Sequence, residues 1–254
     1  MDLPPVGLGT MGIDDPSSIE TAIEMGYRHL DTAQIYDNEA VVGEGIERAD
    51  VSRGELTVAT KLWTDTLAGD DVRESAEASL DRLGLDSIDL LYVHRPQGEY
   101  DPETTLPAMD ALRDDGLTGN VGVSNFLPHQ LERAREILDS PIAANQVELH
   151  PYYGNDPVLA DAREHDYPVV AYSPLIGGDA FDDDVLAAIA AENDTTAAAV
   201  AIAWVRSHEN VVTIPKAASR DHQRANFEAR HLELDAEELE RIDAIDREHE
   251  IYPD

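Results

Sequence analysis

Short β-branched runs recur along the chain, each followed by a polar loop and then a stretch whose apolar residues fall three and four apart. The runs predict strands at 6–10, 27–31, 56–61, 88–94, 120–124, 143–147, 168–172 and 211–215. Between them, Ser17 with Glu20 three residues on reads as a capping box that opens a helix stopping near Gly26. Val72, Ala76, Leu80 and Leu83 form one face of a helix that Gly84 ends. Helical patterns follow at 106–113, 129–138, 158–164, 185–192 with 197–207, and 221–228. A last helix starts at Asp235, capped by Glu238, with Leu239, Ile242 and Ile245 as its apolar stripe.

Strict strand–helix alternation implies parallel strands joined by crossovers. Eight units in 254 residues predict one (β/α)8 barrel domain spanning residues 1–254. A doubly wound open sheet is the alternative. Gly7-Leu8-Gly9-Thr10-Met11-Gly12 fits a dinucleotide fingerprint in form, but its first glycine lies inside the predicted strand.

Charge changes the picture of partners. The chain carries 53 Asp and Glu against 18 Lys and Arg, a formal charge of −35, with no Cys. Such a surface repels phosphate backbones and anionic lipid, so no nucleic-acid or membrane partner is expected. No run approaches the length of a membrane-spanning helix, and the first residues lack a signal-peptide pattern, so the expected location is cytoplasmic. At 42% hydrophobic residues, evenly spread, the chain is not a disordered acidic polymer. A carboxylate coat nearly free of lysine resembles the surface of a protein from a salt-accumulating halophile. Two lysines stand in the whole chain, Lys61 and Lys216. Where surface lysine is so scarce, the two that remain point to roles that arginine's bulky, permanently charged fork does not fill.

Barrel enzymes carry their chemistry at the C-terminal ends of the strands. Here those ends bear Asp31, Lys61, His94, Ser124-Asn125, Gln146 with Glu148, Tyr172-Ser173 and Lys216. Asp31, Lys61 and Tyr36 make a chemical unit: an ammonium beside a phenol favours the phenolate and lowers its pKa, and a carboxylate holds the ammonium in place. A neutral His94 beside them would orient a carbonyl. Other readings of the same residues are a hydrolase using Asp31 and Glu148, a metal held by His29 and Asp31 on one strand face, with no third ligand evident, and half a metal site at Glu148 and His150; no resident metal is expected.

Gly26-Tyr27-Arg28-His29-Leu30-Asp31-Thr32-Ala33-Gln34-Ile35-Tyr36-Asp37-Asn38-Glu39 resembles the signature of the aldo-keto reductases. Thr60-Lys61-Leu62-Trp63, Val93-His94-Arg95-Pro96, Gly122-Val123-Ser124-Asn125-Phe126, Asn145-Gln146-Val147-Glu148-Leu149-His150-Pro151, Ala171-Tyr172-Ser173-Pro174-Leu175 and Ile214-Pro215-Lys216 resemble its later motifs in order. The likeness covers nearly the whole chain and is strongest to short prokaryotic members of the 2,5-diketo-gluconate reductase type.

The resemblance implies a (β/α)8 barrel that reduces small-molecule aldehydes or ketones with NADPH, or alternatively NADH, and that is a monomer. Tyr36 would donate the proton, Asp31 and Lys61 would tune it, and His94 would orient the carbonyl. Tyr172 would stack on the nicotinamide, and Ser124, Asn125 and Gln146 would hold its carboxamide. Ser173 and Leu175 would lie along the pyrophosphate, Lys216 would meet the 2′-phosphate, and Asn226 the adenine. Trp63 and Arg95 would bound an open substrate pocket, with Ile176 and Tyr252 at its edge. The chain departs from the family pattern at Ala217, His222 and Ala225, with Arg220 or Arg224 as substitutes for the second phosphate contact, so the expected preference for NADPH over NADH is less secure than cofactor use itself. A barrel that binds the cofactor without turnover, in a regulatory role, is the reading from another class; the intact Asp31, Tyr36, Lys61 and His94 speak against it.

Overall fold

The computed structural model describes residues 1–253. Eight parallel strands are hydrogen-bonded in sequence order: β1 (Leu8–Gly9), β2 (His29–Asp31), β3 (Thr57–Leu62), β4 (Leu90–Val93), β5 (Val121–Ser124), β6 (Asn145–Glu148), β7 (Val169–Tyr172) and β8 (Val211–Thr213). Parallel bridges from Val6 to Thr213 and from Gly9 to Lys216 join the last strand to the first, with the Gly7 N–H donating to the Thr213 carbonyl at 2.8 Å. The sheet is therefore closed, and the open-sheet alternative falls.

Around it lie α1 (Pro16–Met25), α2 (Glu39–Arg48), α3 (Val72–Leu83), α4 (Pro102–Asp114), α5 (Pro128–Ile137), α6 (Asp156–His165), α7 (Asp184–Glu192), α8 (Ala197–Arg206), α9 (Arg220–Glu228) and α10 (Ala236–Asp243). One apolar layer fills the space between strands and helices, from Leu8, Ile19 and Leu30 round to Val200 and Ile202. A second lines the barrel's interior, where Leu3 meets Ala59, Leu90, Tyr92, Val170, Val212 and Ile214. Inward residues fill the barrel, so chemistry is confined to its ends.

Helices α1 and α2 depart most from the sequence expectation; α4 also starts four residues early, at Pro102, and α10 ends at Asp243, before Ile245. Helix α1 is capped by Asp15, not Ser17: the Asp15 carboxylate accepts the Ser17 N–H at 2.9 Å, and Pro16 takes the first helical position, where its missing N–H is harmless. Helix α2 has no counterpart in the sequence reading because Gly43 and Gly45 lower its helical propensity. Packing explains both glycines. A Cβ at Gly43 would lie 2.2 Å from the Leu83 carbonyl oxygen, and one at Gly45 2.4 Å from Ile19, so the pair lets α2 settle against α3 and α1. No single helix among the described residues is long and apolar enough to cross a membrane.

Candidate active site

Asp31 ends β2, and Lys61 reaches it from the neighbouring β3. Both are buried; the Lys61 ammonium pairs with Asp31 Oδ1 and donates to the Thr32 carbonyl at 2.8 Å. The second Asp31 oxygen accepts from Gln146 Nε2 at 2.7 Å. Burial works against the ammonium, but Asp31 and Tyr36 outweigh it and hold Lys61's pKa above its usual value. Tyr36 lies in a short 3-10 turn after β2, and the Lys61 nitrogen stands 5.2 Å from its ring centre.

The Tyr36 phenol behaves otherwise than the sequence reading expects. Burial pushes its pKa up, Lys61 pulls it down, and burial wins. Tyr36 is thus a protonated phenol across the physiological range. His94 follows β4 and meets the Tyr36 ring edge-on at 6.1 Å and the Trp63 ring at 4.9 Å. Burial, then the Lys61 and Arg95 charges, lower its pKa to about 2, so the imidazole is neutral.

Two residues that sequence reasoning passed over fix this cluster. Gln34 donates to the Ser75 carbonyl and to the Ser75 and Ser79 hydroxyls, while its own carbonyl accepts the Trp63 N–H at 2.9 Å. Asn38 donates to the Thr10 and Ile13 carbonyls and accepts from the Thr32 hydroxyl at 2.8 Å. Together they bind the Tyr36 turn to α3, β3 and the loop after β1. Both sit inside the quoted signature, where nothing local marks them, because their partners lie in α3, after β3 and in the loop after β1.

On the far side of the mouth, Asn125 takes a left-handed conformation (φ 61°), which Asn tolerates better than most residues. Its Nδ2 donates to the His94 carbonyl at 3.0 Å and to the Ser124 hydroxyl at 3.1 Å, and its Oδ1 accepts from the Tyr172 hydroxyl at 2.9 Å. Ser124 in turn donates to the Gln146 carbonyl. A hydrogen-bonded band therefore runs from Tyr172 through Asn125, Ser124 and Gln146 to Asp31 and Lys61. Ser173, also left-handed at φ 55°, turns the chain away after Tyr172. Leu175 is half-buried, Lys216 is exposed after β8, and Asn226 is buried on α9.

Ile176 is corrected. It is 1% exposed and packs into the outer apolar layer instead of facing the mouth. The mouth is also less bare than expected, because the segment after α10 returns across it and brings the Tyr252 ring to 6.1 Å from that of Tyr172. Both carboxylates of the hydrolase reading are taken, Asp31 by Lys61 and Gln146, Glu148 by His150 and backbone N–H groups. No group of three or more metal-ligating side chains occurs among the described residues. A concavity of about 950 Å³ near Gly43, Arg53 and Asp86 includes none of these residues and lies away from the strand ends that carry the cluster.

A model of the aldo/keto reductase family matches residues 5–247. The chain belongs to that family. It is 40% identical to a methylglyoxal reductase DkgB of Escherichia coli O157:H7 over 97% of this chain and 94% of that one. It is 34% identical to a glyoxal reductase of Bacillus subtilis strain 168, over 100% of this chain and 92% of that one. Among solved structures, an aldo-keto reductase from a Medee basin deep-sea metagenome library superposes with a TM-score of 0.94 at 32% identity, covering 100% and 95% of the two chains. A 2,5-diketo-D-gluconic acid reductase B, so described as a putative one, gives 0.91 at 33%, covering 95% and 87%. This family member is an NAD(P)H-dependent carbonyl reductase acting on small carbonyl compounds.

Proposed function

We propose that the protein is a single-barrel reductase that uses NADPH, with Tyr36 as the acid that protonates the carbonyl oxygen. The observation that carries this is the buried Asp31–Lys61 pair set beneath a phenol that burial keeps protonated. When bound, the nicotinamide supplies the hydride. The protein's part is to present a proton and to fix the carbonyl. His94, held neutral, donates to the carbonyl oxygen and orients it towards Tyr36. As the oxygen gains charge, Tyr36 gives up its proton, and Lys61 stabilises the phenolate left behind. Asp31 holds the ammonium in place.

The residues present suit such a cofactor. The Tyr172 hydroxyl is tied to Asn125, which steadies its ring as a platform for a planar partner. Ser124, Asn125 and Gln146 bring amide and hydroxyl groups to adjoining strand ends, and Ser173 and Leu175 follow on the turn. Lys216 is an exposed cation in a chain of net charge −35, suited to a 2′-phosphate, with Asn226 assigned to the adenine. Trp63 and Arg95 would face the substrate. The names of the relatives suggest 2-oxoaldehydes as the substrate class.

The deciding experiment follows the nicotinamide absorbance with a carbonyl panel and both nicotinamides, for the parent and for Tyr36→Phe. Turnover in the parent, with a loss of at least about a hundredfold in the variant and nearly unchanged cofactor affinity, is expected. Cofactor binding without turnover across the panel would favour a silent regulatory barrel.

A further inference from the structure

Glu148 is a buried carboxylate for which the reading above has no use. It ends β6, two residues beyond Gln146, on the same face of the strand. Both of its oxygens are engaged. Oε1 lies 2.9 Å from His150 Nε2 and accepts the Ile251 N–H at 2.6 Å; Oε2 accepts the Tyr252 N–H at 3.1 Å. Burial alone would raise this carboxyl's pKa, but the His150 contact and the two backbone N–H groups hold it below the usual value, so it is an acceptor at neutral pH.

The two backbone partners of Glu148 are more than a hundred residues away, in the segment that crosses the barrel mouth. Once its two amides are bound, the rest of that segment has a fixed path. The Tyr252 carbonyl accepts from the Arg95 guanidinium at 3.2 Å, beside His94. The Tyr252 ring stands against Tyr172. Upstream, Arg247 pairs with Asp179 at 2.8 Å and lies over the Tyr152 ring at 4.5 Å. These contacts reach the loops after β4, β6 and β7, which also bear the proposed carbonyl and nicotinamide contacts.

We propose that Glu148 is a positioning residue: by binding the Ile251 and Tyr252 amides it seats Tyr252 as a wall of the substrate pocket, which thereby selects small carbonyl compounds. The inference deepens the carbonyl-reductase reading and rests on it. A carboxylate suits the task because it offers acceptors on both oxygens. Glutamine has the same shape but one acceptor, and its NH2 would face an amide N–H. Glu148→Gln is therefore a nearly isosteric way to free the segment without emptying the core.

The test uses Glu148→Gln, a chain truncated after His249, and the two changes combined. Amide hydrogen exchange of the full-length protein, without substrate, is expected to show Ile251 and Tyr252 protected in the parent and exposed in Glu148→Gln. With methylglyoxal the KM should rise about tenfold in each variant while kcat stays within about twofold, as for loss of one pocket wall. With a bulky naphthaldehyde the KM should stay level or fall. The combined variant should be no worse than either change alone, because both remove the same contact. Unchanged amide protection in Glu148→Gln, an unchanged methylglyoxal KM despite freed amides, or additive losses would each overturn the proposal. A parent that reduces no carbonyl defeats the reductase reading and the selectivity with it, whereas the amide exchange still decides whether Glu148 anchors the segment.

Discussion

Gln146 Nε2 donates to Asp31 Oδ2 at 2.7 Å, the carboxylate oxygen opposite the one that Lys61 holds. The residue assigned to the nicotinamide carboxamide is thus also the second partner of the carboxylate beneath the proposed acid. Replacing it should damage both functions. In Gln146→Leu a buried, charged acceptor loses a hydrogen bond, which costs about 2 kcal/mol. The expected outcome is a lower melting temperature together with a fall in kcat and a weaker cofactor affinity. A variant that loses cofactor affinity alone, at unchanged melting temperature, would show that the bond to Asp31 contributes nothing.

Lys216 is exposed just after β8, and the family-typical arginine six residues later is His222, whose backbone N–H is used by the Ser219 cap of α9. Under the proposed function Lys216 is the cation assigned to a 2′-phosphate, with Arg220 and Arg224 on the following helix. Lys216→Met should raise the KM for NADPH by about tenfold, the loss of one charge-assisted hydrogen bond, and leave that for NADH within about twofold. Steady-state kinetics with each nicotinamide read this directly, and equal effects on the two would remove Lys216 from the phosphate.

His29 lies wholly buried on β2 with neither ring nitrogen paired, and burial lowers its pKa to about 4. An unfolded histidine titrates near 6.5, so between those values the unfolded chain binds the extra proton and stability falls as pH falls. At pH 5 the loss amounts to about 2 kcal/mol for His29, and His94, lowered to about 2, loses a similar amount. Urea unfolding at pH 7 and pH 5 measures it. His29→Leu should remove its share of the difference and leave that of His94.

The acidic coat makes salt a structural variable. Lowering the ionic strength lengthens the range of carboxylate repulsion from about 3 Å at 1 M to about 10 Å at 0.1 M. Raising KCl from 0.1 to 3 M should therefore lift the melting temperature by about 10 °C, equivalent to a few kcal/mol in a chain of this size. A melting temperature that ignores KCl would mean that the coat is not a salt adaptation.

What the sequence made legible follows from how local each signal is. Strand ends were readable because β-branched runs and their terminal polar residues lie within a few positions of each other, and Asp31, Lys61, His94 and Gln146 do converge. Helix α2 was hidden because Gly43 and Gly45 serve contacts with Leu83 and Ile19, which no local pattern records. The α1 cap was displaced because Ser17 and Glu20 imitate a motif that Asp15 and Pro16 supply two residues earlier. Tyr36's pKa direction depends on burial, which spacing does not give. Glu148 looked like half of a metal or hydrolytic site because, of its partners, only His150 carries a side-chain signature, and the Ile251 and Tyr252 amides carry none.

The contrast between the two lysines has a practical side. Lys61 is wholly enclosed, whereas Lys216 is open to solvent. An amine-acylating reagent applied to the folded protein therefore meets one reactive lysine, at the position assigned to the cofactor's phosphate. Acylation there would remove the charge assigned to the phosphate, so the use lies in protection: the rate at which NADPH shields the Lys216 amine, read by peptide mapping apart from the exposed N-terminal amine, becomes a binding assay that needs no substrate and no turnover.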